Sequence, residues 1–289
     1  MRRLIINADD LGLTRGVNRA ILRAVTEGIV TSATVMTSGT AFEEAVAETK
    51  QLTSDTRFSV GCHLVLVDGV PVAETSRIPS LLTNGRLRNS VGRFGFLAQR
   101  GDISGSDIYT EAVAQITKAQ QSGIRLSHFD AHKHSHMFPK VLAPALRAAA
   151  ECGISAVRNP FEPPQPVPFS LLRKHPKLFK RYAQVALLRT MRPAWMRSVR
   201  EHGLKTTDGS LGVVITGDMT RETLTAVLEY MPEGTWELVC HPGYNDSELA
   251  GIHTRLRESR EQELELLTSF ETRALLDRLG IELISYREL

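Results

Sequence analysis

The sequence predicts an α/β fold in which a mainly parallel sheet closes, or nearly closes, into a barrel. Three observations carry that expectation. Strand-like and helix-like segments alternate almost from end to end. The length of 289 residues suits a single β/α barrel domain. The polar residues best fitted for chemistry follow the ends of strand-like runs, which form the ligand-binding rim in parallel β/α architectures.

Leu4 to Asn7 is a short buried strand that ends in Ala8-Asp9-Asp10. Thr14 to Glu27 has helical spacing through Val17, Ile21 and Val25, and Gly28 supplies a stop. Ile29 to Met36 is β-branched and strand-like, Phe42 to Leu52 helical, and Phe58 to Val65 a strand carrying Gly61-Cys62-His63. The pattern then dissolves over about 66–105, a loop excursion expected over the substrate mouth. Ser106 can cap a helix running to Gln121 and closed by Gly123. Ile124 to Phe129 is the next strand. Pro139 to Cys152 is a helix with Val141, Leu142, Ala145 and Leu146 on its apolar side, and Ile154 to Val157 is a short strand ending at Arg158. Pro160 to Pro168 excludes regular structure and opens a basic insertion over about 160–205, expected as helical pieces broken at Pro176 and Pro193. Leu211 to Thr216 reads as a strand, Thr220 to Met231 as a helix, and Thr235 to Cys240 as a strand before His241-Pro-Gly-Tyr244. Glu258 to Leu279 reads as one long amphipathic helix and Ile281 to Tyr286 as the final strand.

No run approaches the roughly 18 uninterrupted apolar residues of a membrane span, and the apolar run after Met1 is too short for a signal sequence. Three cysteines without close pairing argue against a disulfide framework and suit a reducing compartment. The expected location is cytoplasmic. The net charge of +3 conceals an asymmetry: residues 163–200 contain nine Lys and Arg and no acid, so the remainder carries −6. Such local basicity disfavours general nucleic-acid binding and points to one basic surface feature.

Leu126-Ser-His-Phe-Asp-Ala-His-Lys-His-Ser-His-Met-Phe-Pro139 places four histidines and Asp130 within nine residues. Imidazole is the commonest ligand for borderline metals, so the stretch is a metal-site candidate. Same-face neighbours on a strand lie about 6–7 Å apart, so one ligand is expected from this cluster and the rest from elsewhere. Asp9 and Asp10 diverge as adjacent residues, one toward a metal and the other toward water or substrate; helix capping is the alternative for either. His63 is a ligand candidate or a core histidine. Cys62 and Cys240 each precede a candidate His, and strand alternation turns them to the opposite face as packing residues. His241 is a candidate general acid or a turn-stabilising residue. Arg158 is read as binding substrate, orienting an acid or making a surface salt bridge.

Asn7-Ala-Asp-Asp-Leu-Gly12, Gly61-Cys-His-Leu64, His128-Phe-Asp-Ala-His-Lys-His-Ser-His136, Cys240-His-Pro242 and Ser285-Tyr-Arg287 resemble, in order and spacing, the YdjC-like (ChbG/HpnK) deacetylases. Ala131-His-Lys-His and Leu64-Val-Leu-Val-Asp-Gly look closer to the hopanoid-biosynthesis branch than to the chito-oligosaccharide branch. The resemblance implies a distorted, TIM-like (β/α) barrel with an irregular insertion. It also implies one divalent metal on Asp10, His63 and His132, Asp9 as general base and His241 as acid.

The expected activity is hydrolytic removal of the N-acetyl group from an N-acetylated amino sugar, with Arg158, His134 and His136 at the substrate. An N-acetylglucosaminyl lipid (hopanoid) is the substrate reading, with chito-oligosaccharide as the alternative. The basic segment around Phe179, Tyr182, Leu187, Leu188, Trp195 and Met196 suits an anionic membrane surface or a lipid tail, or is a solvated insertion or dimer contact. Zinc or magnesium is expected, with manganese or cobalt as alternatives. The expected assembly is a homodimer. Two competing readings are a metal-dependent sugar isomerase, which would favour more carboxylate ligands, and a non-catalytic metal-binding protein.

Overall fold

The computed structural model describes residues 1–52 and 57–289. In chain order its elements are β1 (Arg2–Leu11), α1 (Arg15–Thr26), β2 (Ser32–Val35), α2 (Phe42–Leu52), β3 (Ser59–Leu64), β4 (Leu82–Thr83), β5 (Arg86–Leu87), α3 (Val91–Arg100), α4 (Gly105–Gln121), β6 (Leu126–Ala131), α5 (Pro139–Glu151), β7 (Ala156–Val157), α6 (Phe169–Lys174), α7 (Pro176–Leu188), α8 (Arg192–Glu201), β8 (Lys205–Thr206), β9 (Gly209–Leu211), α9 (Arg221–Glu229), β10 (Gly234–Cys240), α10 (Ser247–Ala250), α11 (Glu258–Leu267), α12 (Phe270–Arg278) and β11 (Ile281–Leu283).

Eight parallel strands in the order β8-β7-β6-β3-β2-β1-β10-β9 form a nearly closed barrel. Its two end strands are joined by Thr207 and Asp208, whose carbonyls accept from Asn159 Nδ2 at 3.1 and 3.2 Å. β11 pairs with Arg2–Leu4 of β1, and β2 with the later Asn7–Leu11 stretch. β4 and β5 form a separate antiparallel hairpin. The TIM-like α/β barrel expected from the sequence is therefore the fold. No helix among the described residues is long and apolar enough to cross a membrane.

Several boundaries differ from the sequence reading for local reasons. β1 continues through Asp9-Asp10 to Leu11 because a register shift between Ala8 and Leu11 absorbs a left-handed Asp10, φ +68°. Ser104, not Ser106, caps α4 by accepting the Ser106 N–H at 3.2 Å. β9 stops at Leu211 because Gly212, φ +92°, turns the chain outward. The long helix over Glu258–Leu279 is two helices, since Ser269 Oγ accepts the Thr272 N–H and caps α12. β11 ends at Leu283, and Tyr286 lies in a following helical turn. Pro176 and Pro193 fall in the first turns of α7 and α8, where a missing N–H is tolerated. The excursion builds its own core from Leu66, Val67, Ile78, Leu81 and Phe94.

Alternation along the strands separates two chemistries. Outward residues such as Leu4, Ile6, Leu238 and Cys240 join one helical layer, and Cys62, Leu64, Phe129 and Ala131 join another. The inner face is largely polar: Asn7, Asp9, Thr34, His63, His128, Asp130, Arg158 and Glu237 are all buried. Ile5, Ala156, Ile284 and Tyr286 cluster deeper along the strands. Gly61 is required here, because a Cβ would lie 2.5–2.7 Å from the His128 ring atoms. That ring stacks on Tyr286 with centroids 3.6 Å apart.

Candidate active site

Beyond the carboxyl ends of β1, β3 and β6 lies a cleft of about 640 Å³ lined by Asp9, Asp10, His63, His132, His134 and His241 among others. The bulge in β1 makes this possible: it lets two consecutive acids face the same rim. Asp9 turns inward to Arg158, and Asp10 reaches the histidines. Parallel register sets His63 beside Asp130. After β6 the chain leaves extended geometry through left-handed Lys133 and His134, φ +55° and +52°. The histidines therefore do not share one strand face.

Asp10 Oδ1, His63 Nε2 and His132 Nδ1 form a triangle with sides of 3.4, 3.5 and 3.6 Å. Donors bound at about 2.0–2.2 Å around a tetrahedral ion lie about 3.3–3.6 Å apart, so the spacing fits one cation. Asp10 Oδ1 is buried and lacks a hydrogen-bond partner among the described residues, which also suits a metal ligand. The other Asp10 oxygen accepts from Arg260 Nη2 at 2.5 Å. His63 Nδ1 lies 2.8 Å from Asp130 Oδ1, the carboxylate–histidine arrangement that aims the opposite nitrogen at a metal.

Beneath the triangle, Arg158 is fully buried among three carboxylates. It forks onto Asp9 at 2.6 and 2.8 Å, lies 2.5 Å from Asp130, and meets Glu237 at 2.7 and 2.9 Å. Tyr286 donates to the second Glu237 oxygen at 2.5 Å, and Asn7 Nδ2 donates to Asp9 at 2.9 Å. His241 Nε2 stands 3.8 Å from Asp9. The His241 backbone N–H donates to Glu263 at 2.6 Å.

Five buried carboxyls, Asp9, Asp10, Asp130, Glu237 and Glu263, face two buried guanidiniums, those of Arg158 and Arg260. The excess favours a cation. Burial pulls the His63 imidazolium down, but Asp130, with Asp9 and Asp10 behind it, outweighs this and raises the group to about 9. Burial also opposes charge on Asp10, yet Arg260 and His132 hold it well below the usual carboxylate range. Burial similarly opposes charge on Asp9, and Arg158 lowers it. Burial lowers His241 to about 4 against the pull of Asp9 and Asp10, and raises Glu263 to about 7.

Asp9, Asp10, His63, His132, His134 and His241 all line the cleft. Two expected substrate contacts lie elsewhere. Arg158 is buried below the floor with its guanidinium committed to carboxylates. His136 is buried beside Trp195, with Nε2 3.1 Å from the Arg158 carbonyl. Asp130 was singled out only as part of the histidine stretch and Tyr286 only within the Ser285-Tyr-Arg287 motif, neither with a role, and Glu237, Arg260 and Glu263 were missed as parts of the site. A lone acid in the apolar run Thr235-Trp-Glu-Leu-Val-Cys240 was a usable signal for Glu237. Arg260 and Glu263 were hidden among the many charges of α11.

A family model described as YdjC-like protein matches residues 3–278. A carbohydrate deacetylase of Geobacillus stearothermophilus is 32% identical over 290 residues, covering 99% of this chain and 98% of its own length. A carbohydrate deacetylase of Brevibacillus brevis is 30% identical over 288 residues, covering 99% of both chains. Among solved structures, a candidate cellobiose-phosphate cleavage protein of Enterococcus faecalis V583 superimposes with a TM-score of 0.79 at 25% identity, covering 99% of this chain and 98% of that one. With the match running through almost the whole barrel and its rim, the chain belongs to the YdjC-like family.

Proposed function

We propose that this protein is a metal-dependent deacetylase that hydrolyses the acetamide of an N-acetylated amino sugar and releases acetate. The observation that carries the reading is the Asp10–His63–His132 triangle at the cleft floor, 3.4–3.6 Å on a side, with Asp9 and His241 beside it. Full-length similarity to two carbohydrate deacetylases supports the substrate class.

Asp10, His63 and His132 would hold the cation. When bound, a divalent ion supplies Lewis acidity toward the acetyl carbonyl and acidifies water. Two imidazoles and one carboxylate suit zinc, with manganese, cobalt or magnesium as alternatives. Asp9 accepts the proton of the attacking water. The Arg158 fork and Asn7 fix its carboxylate, so the base needs no reorientation during reaction. His241, neutral at rest because burial lowers it to about 4, takes the water's proton from Asp9 across the 3.8 Å gap and delivers it to the departing sugar nitrogen, while Glu263 holds its backbone in place. Arg158 thus acts as a positioning residue, while His134, on the cleft wall, contacts the sugar.

The finer substrate reading is an N-acetylglucosaminyl lipid such as a hopanoid. The Leu64–Gly69 and Ala131–His134 motifs support it over a chito-oligosaccharide. Mass spectrometry of purified protein with each substrate tests this, with and without chelator. Loss of one acetyl mass from the glycolipid alone, abolished by chelation and restored by metal, is expected. Loss only from diacetylchitobiose would overturn the lipid reading. No loss from either, or aldose–ketose conversion instead, would overturn deacetylation.

A further inference from the structure

The acid-free segment between Glu162 and Glu201 folds into α6, α7 and α8 on one flank of the barrel. The inner face of α7 grips the cleft wall. Arg181 Nη1 donates to the Thr216 carbonyl at 2.8 Å and pairs with Asp218 at 2.6 Å, and Thr216 lines the cleft. Just beyond α7, Arg189 donates to the Glu162 carbonyl at 2.6 Å. The Glu162 side chain in turn accepts the Val214 N–H at 3.2 Å.

The outer face has no such commitments. Leu178 is the only residue of α7 that is fully buried. Phe179, Ala183 and Leu187 recur every fourth position and form one exposed stripe, with Ala186 beside it. Phe179 is 57% and Leu187 71% exposed, and exposed Phe169 stands 6.1 Å from Tyr182 on the same flank. Arg173, Lys177, Lys180, Arg197 and Arg200 are exposed and have no carboxylate partner among the described residues. An ordinary solvated helix mixes charge signs and keeps its apolar residues inward. Here the sequence puts apolar side chains outward and surrounds them with one sign of charge.

We propose that the outer face of α7 docks on an anionic bilayer, with Phe179 and Leu187 entering the headgroup–acyl boundary and Lys177 and Lys180 meeting lipid phosphates. Charge complementarity selects this occupant. A bilayer takes apolar and cationic groups at different depths of one face. A nucleic-acid phosphate backbone would meet the cations but offer no apolar layer to the exposed Phe179 and Leu187. Through Arg181, one helix would couple the docked face to the wall of the cleft. This inference goes beyond the deacetylase reading, and its test needs no turnover, so either can fail alone.

The test is co-sedimentation of the full chain with phosphatidylcholine vesicles, with and without phosphatidylglycerol. Binding only to the anionic vesicles, weakened by salt, is expected. Each removed cation should weaken binding about fivefold, so Lys177→Gln with Lys180→Gln should weaken it about 25-fold. Phe179→Ser with Leu187→Ser should abolish the binding that survives raised salt. All four side chains are exposed, and unchanged thermal unfolding certifies the fold of each variant. Absence of binding, equal binding to both vesicle types, or binding indifferent to both double variants would overturn the proposal. So would a homodimer in sedimentation that Phe179→Ser with Leu187→Ser dissolves, because a second copy would then occupy the face.

Discussion

Asp130→Asn probes the link between the barrel interior and the candidate metal site. The substitution keeps size and burial but not both of the bonds that Asp130 makes. One oxygen lies 2.8 Å from His63 Nδ1; the other lies 2.5 Å from Arg158 Nη1 and 3.2 Å from Thr34 Oγ1. An amide turned with its oxygen toward His63 aims its NH2 at the guanidinium. Turned the other way, it aims the NH2 at the imidazole N–H. In either pose a buried donor faces a donor, and His63 loses its anionic acceptor. Losing such a carboxylate behind a ligating histidine weakens metal binding by about 10–100-fold, or about 1.4–2.7 kcal/mol. Arg158 keeps Asp9 and Glu237, so the loss of stability should stay below the about 3–5 kcal/mol of a fully broken buried pair. Competition between metal-free protein and a chromophoric chelator measures the affinity, and thermal melting checks the fold. Unchanged affinity in a folded Asp130→Asn protein would refute the reasoning.

Three further outcomes follow from the same geometry. His241→Ala should lower kcat by about 10²–10⁴-fold while leaving metal content unchanged; loss of metal instead would move His241 into the ligand set. Gly61→Ala drives a methyl into the His128 ring and should cost about 1–3 kcal/mol, read as a drop of about 2–4 °C in Tm per kcal/mol; an unchanged Tm would show that the ring has room to move. Burial raises Glu162 from its ordinary 4.5 to about 8, so the folded chain holds that proton more tightly than the unfolded one, and stability falls as pH rises from about 4.5 through about 8. Glu162→Gln can still accept the Val214 N–H but does not titrate, so its Tm should fall less than wild type between about pH 5 and about pH 9; parallel falls would refute the assignment.

Much of the barrel was legible because strand and helix periods differ and parallel strands bring their carboxyl ends to one rim. That rule picked out Asp9, Asp10, His63, His132 and His241, five residues from four places in the chain. The errors arose where backbone conformation departs from its period. Asp10 in a left-handed bulge lengthened β1, Gly212 shortened β9, and a serine cap divided the last helix. His134 and His136 looked equivalent in an alternating run. Two left-handed residues send His134 to the cleft and leave His136 under Trp195. Arg158 was legible as a strand-end residue but not as the centre of a buried charge cluster. Its carboxylate partners come from three other strands, Asp130 28, Glu237 79 and Asp9 149 residues away in sequence, a closeness that no local pattern encodes.

The central claim is that Asp10, His63 and His132 hold one catalytic cation. Its most direct test is elemental analysis of metal per chain alongside acetate release, in wild type and in His63→Ala, His132→Ala and Asp10→Asn. The account predicts one ion per chain and chelator-sensitive, metal-restorable acetate release in wild type, and loss of both in each folded variant. Acetate release that survives complete removal of metal, or full metal occupancy in all three variants, would contradict it.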